Sequence, residues 1–529
     1  LRKTMKGRLA AAGGLTLALV GGAALFWKTH PAPDIDWDDV IARSRNGAPE
    51  DDAQSTDSGS TGAPNSAPRL KSVASSGTTS NSRQSASEQS YVNAEVVVVG
   101  AGIAGTATAY HLGKLLNTSS NSKTHLYKEN SSSVVLLDRG FVGAEASGLS
   151  AGTIYDGGRG LFPELRRGTT AVIKKLEAEG FNCKYVQSGA LTLALNAAEA
   201  TSLRHQVENA GTNSEMEFLG SHEEIIAQEP SLAGGKACAA ILTRKSGYVD
   251  AASCTHAFAD AASANKVDVM IHEGAEVVSI AKLISDDGRY EIKTRNGLVL
   301  RCKKLVLCPG AWSAKIGQLL NIDIPVTPVK GQIWVTEETP PHFMNHVIFI
   351  EESHLAFQHE FREGSRSDLP KFTTHDFDGH QFVRHAYGRR LHDGRVMFGG
   401  DRIPCHDSDD HQRIYATDVA GARRNQEHVY EFCPKLKDYK VDGMWSGPMP
   451  FSKDGLPLVG ELGNFGLENV WLFTGLGPHG IMEGPMLSKI LAHEVVGGAS
   501  ANKDENKLDQ GLVQEVLLAF KPDRQGGVT

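Results

Sequence analysis

Val96-Val97-Val98-Val99-Gly100-Ala101-Gly102-Ile103-Ala104-Gly105 is the stretch from which the rest of the chain can be read. Four successive valines mark a strand buried on both faces, as in a parallel sheet. The glycines at 100, 102 and 105 follow as G-x-G-x-x-G, and Thr106-Ala107-Thr108-Ala109-Tyr110-His111-Leu112 continues as a helix. In such a turn the first glycine permits the tight bend and the second lets a pyrophosphate approach the backbone. The third lets helix and strand pack closely. The helix N-terminus then faces the phosphates. Alone, this pattern is weakly specific. It gains weight from Val134-Val135-Leu136-Leu137-Asp138, an apolar strand ending in a carboxylate that can accept hydrogen bonds from an adenosine ribose. The Ser/Asn/Lys-rich stretch from Asn117 to Asn130 lengthens the interval between the two and reads as a surface insertion.

Around this centre, a length of 529 residues allows roughly three or four domain-sized units. An apolar share of 40% is ample for a large core. A net charge of −8 and a pI near 6.2 argue against a nucleic-acid binder. Seven cysteines are scattered without a C-x-x-C pair, so neither a zinc site nor a disulfide framework is indicated.

Arg2, Lys3, Lys6 and Arg8 precede Leu9 to Trp27, 19 residues without a charge. That is close to the roughly 20 residues that cross a bilayer. Residues 1–30 therefore read as a signal anchor, a cleaved signal peptide or part of an organelle transit sequence, with the anchor favoured. Positive charge ahead of it would leave the bulk of the chain across the membrane. The expectation is a membrane-associated or organellar protein. Residues 31–90 follow as a linker, rich in Ser, Gly, Pro, Asn and Thr from Ser44 to Ser90. Ordered structure is expected from about Tyr91.

Past Asp138 the chain runs Arg139-Gly140-Phe141-Val142-Gly143-Ala144-Glu145-Ala146-Ser147-Gly148-Leu149-Ser150-Ala151-Gly152, dominated by small residues that let a backbone pass close to a ligand. Together with the glycine turn and the acidic strand end, this stretch resembles the D-amino acid oxidase superfamily of FAD-dependent oxidoreductases, which includes glycine oxidase and sarcosine oxidase-like enzymes. The resemblance implies that Gly100, Gly102, Gly105, Asp138, Arg139, Ala146, Ser147 and Gly152 line the pyrophosphate, adenosine ribose and ribityl chain of FAD. It continues in order through Gly247-Tyr248-Val249-Asp250, through Val277-Val278-Ser279-Ile280 whose backbone, at Val278, is implied to touch the adenine, and through Leu305 to Ser313 with Gly310 near the cofactor. It reaches about Gly498.

Val470-Trp471-Leu472-Phe473-Thr474 reads as a further strand. Gly475-Leu476-Gly477-Pro478-His479-Gly480 reads as a second glycine turn, and Ile481 to Val496 as an amphipathic helix. The resemblance sets this junction against the flavin, implicating Gly475, Gly477, His479, Gly480 and Ile481. The positive end of the helix would there favour the negative charge of the reduced cofactor.

Two departures from the family stand out. Gly447-Pro448-Met449-Pro450 replaces Gly-Leu-Arg-Pro, whose Arg clamps the substrate carboxylate in glycine oxidase-like relatives; a thioether cannot do so. No cysteine lies beyond Cys433, where relatives with a tethered flavin carry one, so the FAD is expected to be non-covalent. Tyr387 and Arg389, in His385-Ala386-Tyr387-Gly388-Arg389-Arg390, are the expected substrate contacts. His375, His380, His385, His392, His406 and His411 match no metal spacing, so no metal is expected.

The expected fold is α/β. A Rossmann-like FAD-binding domain is expected from residues 94–156, 239–314 and 396–498, and a mixed-sheet substrate domain from 157–238 and 315–395. Residues 499–529 are expected as a C-terminal tail. The resemblance implies oxidation of the C–N bond of a glycine-, sarcosine- or D-amino acid-like substrate to an imine, with oxygen as the acceptor. The alternatives are a quinone-linked amine dehydrogenase and a membrane-tethered FAD-containing assembly factor with little turnover.

Overall fold

The valine run explains itself once its neighbours are in place. In the computed structural model, which describes residues 91–119, 131–210, 215–264, 269–284, 288–351, 385–405, 414–497, 508–524 and 527–529, Val92–Val99 is a central strand. It pairs in parallel with Val299–Leu307 on one side and Ser131–Leu137 on the other. Val96 and Val98 enter a core with the helices Ile103–Ser119, Ala251–Ser263 and Gly480–Val496. Val97 and Val99 enter a second core with Ile292, Leu300, Ile316 and Leu472. Each face of the sheet is covered, so alternation is lost and the run is wholly apolar.

The full order of this sheet is Leu458–Leu462, Leu467–Thr474, Val299–Leu307, Val92–Val99, Ser131–Leu137, Val269–His272. All are parallel except Leu458–Leu462. Val277–Lys282 and Tyr290–Thr294 form a hairpin against the lower part of Val299–Leu307. Asp250 caps Ala251–Ser263 by accepting from the Ser253 amide at 2.8 Å. The small side chains of that helix let it press against Ile103–Ser119.

The second sheet is mixed and runs Val441–Ser452, Val326–Glu338, Arg395–Pro404, Tyr387–Arg390, Val347–Ile350, Ala190–Ala194, Ala239–Thr243, Met216–Leu219. One face packs Trp334, Phe398 and Ala386 against Val429 and Phe432 of the helix Val419–Phe432. The other face, carrying Ile333, Tyr387 and Trp445, turns toward the first sheet.

Three strands fall outside the expected partition. Ala239–Thr243, Arg395–Pro404 and Val441–Ser452 fall in the stretches expected for the FAD-binding domain, yet they pair in the second sheet. A short apolar strand carries no mark of which sheet it joins. The last residues are also more than a tail. Asp509 caps the helix Gln510–Ala519. Phe520 O accepts from Val459 N at 2.8 Å, and Thr529 exchanges backbone bonds of 2.7 and 3.0 Å with Asp323. The charge-free segment and the linker lie outside the described residues. Among the described residues no helix is long and apolar enough to cross a membrane.

Candidate active site

A cavity of about 1360 Å³ runs from the carboxyl ends of the central parallel strands to the second sheet. Its first end is made largely of backbone. Gly100 has φ +102°, and a Cβ there would collide with the Cys308 carbonyl. A Cβ on Gly105 would collide with the Gly100 carbonyl, so Gly105 serves the packing of helix on turn and does not line the cavity. Gly102 does line it, and an added Cβ would meet only Ser147 Oγ at 3.0 Å. The space beside Gly102 is thus kept for something other than protein.

Around the turn, Ser147 Oγ accepts from Ile103 N at 2.9 Å. The Asp138 carboxylate accepts from Ala101 N and Gly140 N, each at 2.7 Å. Burial raises the Asp138 pKa, and the two amides oppose that rise. The Arg139 guanidinium lies 3.5 Å from the Trp312 ring centroid and donates to Glu145 Oε1 at 2.6 Å. Glu145 also accepts from the Tyr415 hydroxyl. Ala146, Gly152 and Gly310 line the same region.

Val278 does not: it is 38% exposed, and its neighbour Val277 lines the cavity instead. In a strand, adjacent side chains take opposite faces, so a one-residue slip reverses the assignment. At the second junction, Gly477, His479, Gly480 and Ile481 line the cavity. Gly475, with φ +74°, shapes the turn behind them and is not in the wall.

The other end is built from buried side chains. Tyr387 lines it, its hydroxyl pKa raised by burial and partly offset by Arg402. Arg389 is a correction. Its Nε donates to Ala151 O at 2.6 Å, its Nη2 to Val249 O at 3.1 Å and its Nη1 to Arg390 O at 3.3 Å, while its guanidinium lies 4.3 Å from the Tyr248 ring centroid. It does not line the cavity. Burial lowers its pKa to about 10. Arg389 therefore fastens the Ala151 and Val249 segments to the second sheet and has no fork left for a ligand.

Other residues take the places that sequence reasoning left open. Arg402, buried and 5.4 Å from the Phe451 ring centroid, lines the cavity beside Met449 and Tyr387. His385 also lines it, with its ring buried and Nε2 without a hydrogen-bond partner. Burial, Arg402 and His428 hold that imidazole well below its ordinary pKa, so it is neutral. Arg166 donates through Nε (3.1 Å) and Nη2 (2.8 Å) to Glu483 Oε1, and Glu483 is 1% exposed. His479 Nδ1 lies 3.7 Å from the same carboxylate. Glu483 leaves one trace in the sequence, a carboxylate in the otherwise apolar first turns of the helix that follows His479. Arg166, 317 residues away, leaves none. Among the described residues no group of three His, Cys, Asp or Glu is placed to hold a metal, and His375, His380, His406 and His411 lie outside them.

The gap at Gly102, two glycine junctions on one wall and a carboxylate at the strand end fit a flavin dinucleotide. The FAD dependent oxidoreductase family pattern matches residues 95–494. The chain belongs to that family. Human mitochondrial dimethylglycine dehydrogenase is 24% identical over 420 residues, covering 77% of this chain and 43% of that protein. The chain therefore spans less than half the length of that relative. Glycine oxidase of Bacillus licheniformis is 22% identical over 446 residues, covering 82% and 98% of the two chains. Among solved structures, glycine oxidase from Geobacillus kaustophilus superposes with a TM-score of 0.62 at 20% identity, covering 82% of this chain and 99% of that one. L-Proline dehydrogenase from P. horikoshii gives 0.61 at 19%, covering 77% and 94%. These superpositions establish the fold.

Proposed function

We propose that the protein oxidises the C–N bond of an amino acid or secondary amine of the glycine, sarcosine or D-amino acid type to an imine, which water then hydrolyses. The observation that carries this reading is a flavin dinucleotide cradle opening directly into a buried pocket that holds a guanidinium, a phenol and a neutral imidazole. FAD, when bound, supplies the two-electron acceptor for the carbon bearing the amine.

The chain supplies position, charge and dryness. Arg402 holds the substrate carboxylate, taking over the part that Met449 cannot play. A planar fork fixes both the place and the direction of a carboxylate. Tyr387 directs its hydroxyl at the same group. Amine oxidation needs the amine uncharged, and His385, held neutral beside Arg402, offers Nε2 as a hydrogen-bond acceptor to the amine N–H. Burial of Arg402 and His385, with Tyr387 partly buried beside them, limits water and strengthens these contacts. Two relatives, dimethylglycine dehydrogenase and glycine oxidase, support the same substrate class.

Oxygen is the proposed final acceptor, giving peroxide. A quinone is the second reading, which the charge-free stretch Leu9–Trp27 favours, since an anchor there would hold the protein at a membrane. An assembly factor with little turnover is disfavoured by the guanidinium beside Met449. The test is a panel of glycine, sarcosine, dimethylglycine and D-amino acids. It measures aldehyde or keto-acid product together with peroxide or with reduction of a soluble quinone. Product from at least one member is expected. No product with either acceptor would overturn the reading.

A further inference from the structure

The cavity is larger than the roughly 300–1,000 Å³ of ordinary ligand pockets. The two glycine junctions and the Arg402 pocket account for part of its wall. The remainder extends past Tyr155 and Phe349 to Gln206, Asn209 and Met216, and reaches Glu351 directly after the strand Val347–Ile350. Glu351 is fully buried. Its Oε1 accepts from Ser202 Oγ at 2.7 Å and from Gln206 Nε2 at 2.6 Å. Its Oε2 is buried with no hydrogen-bond partner, and no Lys, Arg or His among the described residues pairs with the carboxylate.

A purely structural role, tying the helix Ala197–Ala210 to the sheet, is met by Oε1 alone. It leaves unexplained why a second oxygen is buried on a cavity wall unsatisfied, an arrangement that costs stability. Tyr155 joins this end to the flavin end. Its ring packs edge-on against Phe349 at 5.7 Å, and it lies within electrostatic reach of both Arg166 and Glu351. Aromatic walls between two polar ends suit an aliphatic spacer.

We infer that Glu351 is a recognition site for a cationic group at the far end of the substrate, so that the preferred substrate carries a second ammonium or guanidinium beyond the carbon that is oxidised. This rests on the amine-oxidising reading. Burial, with Glu199 adding to it, lifts the Glu351 carboxyl to about 7, and a cation at Oε2 would draw it back to the ionised form.

The test compares D-lysine with D-norleucine on the holoprotein, since the pair differs by the terminal ammonium. Half-saturation for anaerobic bleaching of the flavin band should be about tenfold or more lower for D-lysine. Glu351→Gln, which keeps an acceptor for Ser202 and Gln206, should erase that preference and leave D-norleucine unchanged. A second readout needs no turnover. 1,4-Diaminobutane should raise the melting temperature of the holoprotein more than n-butylamine does, and Glu351→Gln should abolish the difference. Equal half-saturation for the two amino acids, a preference that survives Glu351→Gln, or equal protection by diamine and monoamine would overturn the inference. If no amine bleaches the flavin but the diamine still protects through Glu351, the cation site stands and the amine-oxidising reading fails.

Discussion

The two ends of the cavity are made of different materials. At the nucleotide end the wall is largely backbone: Gly100 and Gly102 on one junction, Gly477 to Gly480 on the other, with Gly105 and Gly475 shaping the turns behind them and Ser147 and Asp138 tying the amides in place. At the substrate end it is side chains from well-separated segments, among them Arg402, His385, Tyr387, Arg166 and Glu483. The difference teaches where each kind of specificity resides. A backbone cradle tolerates almost no change, because its shape depends on missing Cβ atoms. A side-chain pocket can be emptied one group at a time and should lose selectivity before it loses its fold.

The harshest way to probe this contrast is within the glycine turn itself. Gly102→Val should leave the protein folded but colourless, because the only nearby protein atoms belong to the Ser147 side chain. Gly105→Ala instead drives a Cβ into the Gly100 carbonyl and should cost on the order of 3 kcal/mol of stability. Flavin absorbance and urea unfolding separate the two outcomes. A yellow Gly102→Val protein would break the account of the cradle.

Next in size is the exchange of arginines. Arg402→Ala should lower kcat/KM for amino acids roughly 30-fold to several-thousand-fold with FAD still bound, the cost of leaving a partner charge unpaired being about 2–5 kcal/mol. Arg402→Lys should recover little, since an ammonium lacks the fork. Arg389→Ala should behave differently, loosening the Ala151 and Val249 contacts and lowering stability and flavin retention. Steady-state kinetics and thermal unfolding on the three variants check this.

A smaller effect concerns pH. The folded Glu351 carboxyl titrates at about 7, above its ordinary 4.5, so the folded state holds the proton more tightly than the unfolded one. Its contribution is greatest below 4.5 and is lost as pH rises toward 7. Glu351→Gln should flatten that fall and be the more stable protein at pH 8 by up to about 3 kcal/mol. Denaturant melts at pH 5 and pH 8 measure it. The mildest change is at the C-terminus. Arg524 grips Asp454, in the cavity wall, through Nε at 2.7 Å and Nη2 at 2.9 Å. Arg524→Ala should cost about 1 kcal/mol and weaken FAD binding a few-fold, read by flavin titration of the apoprotein.

The same contrast explains what could be read from the sequence. That Gly100, Gly102, Asp138, Ser147, Gly477, His479, Gly480 and Ile481 would share one cavity wall was legible because each answers a local backbone requirement written in a few consecutive residues. The slip from Val277 to Val278 shows the limit, since one residue decides which face of a strand is meant. That Arg402 lines the cavity and the expected Arg389 does not had a deeper cause. The pairing of Val326–Glu338 with Arg395–Pro404 passes from Gly331↔Arg402 to Gln332↔Gly400, skipping Asp401. Such a bulge resets which side chains point inward, and nothing in the local composition announces it. Likewise, no spacing rule brings Arg166 to Glu483 or Ser202 to Glu351. Those contacts exist only once both sheets are assembled.

The central claim is that this flavin cradle serves an amine-oxidising pocket organised by Arg402. Anaerobic mixing of the holoprotein with sarcosine, glycine and D-amino acids, followed by the oxidised flavin absorbance, tests it most directly. The account predicts that at least one of them bleaches the band in a single turnover, and that Arg402→Ala slows the bleaching at least about 30-fold while retaining its flavin. A holoprotein whose flavin no amine reduces, or an Arg402→Ala protein that bleaches like the parent, would contradict it.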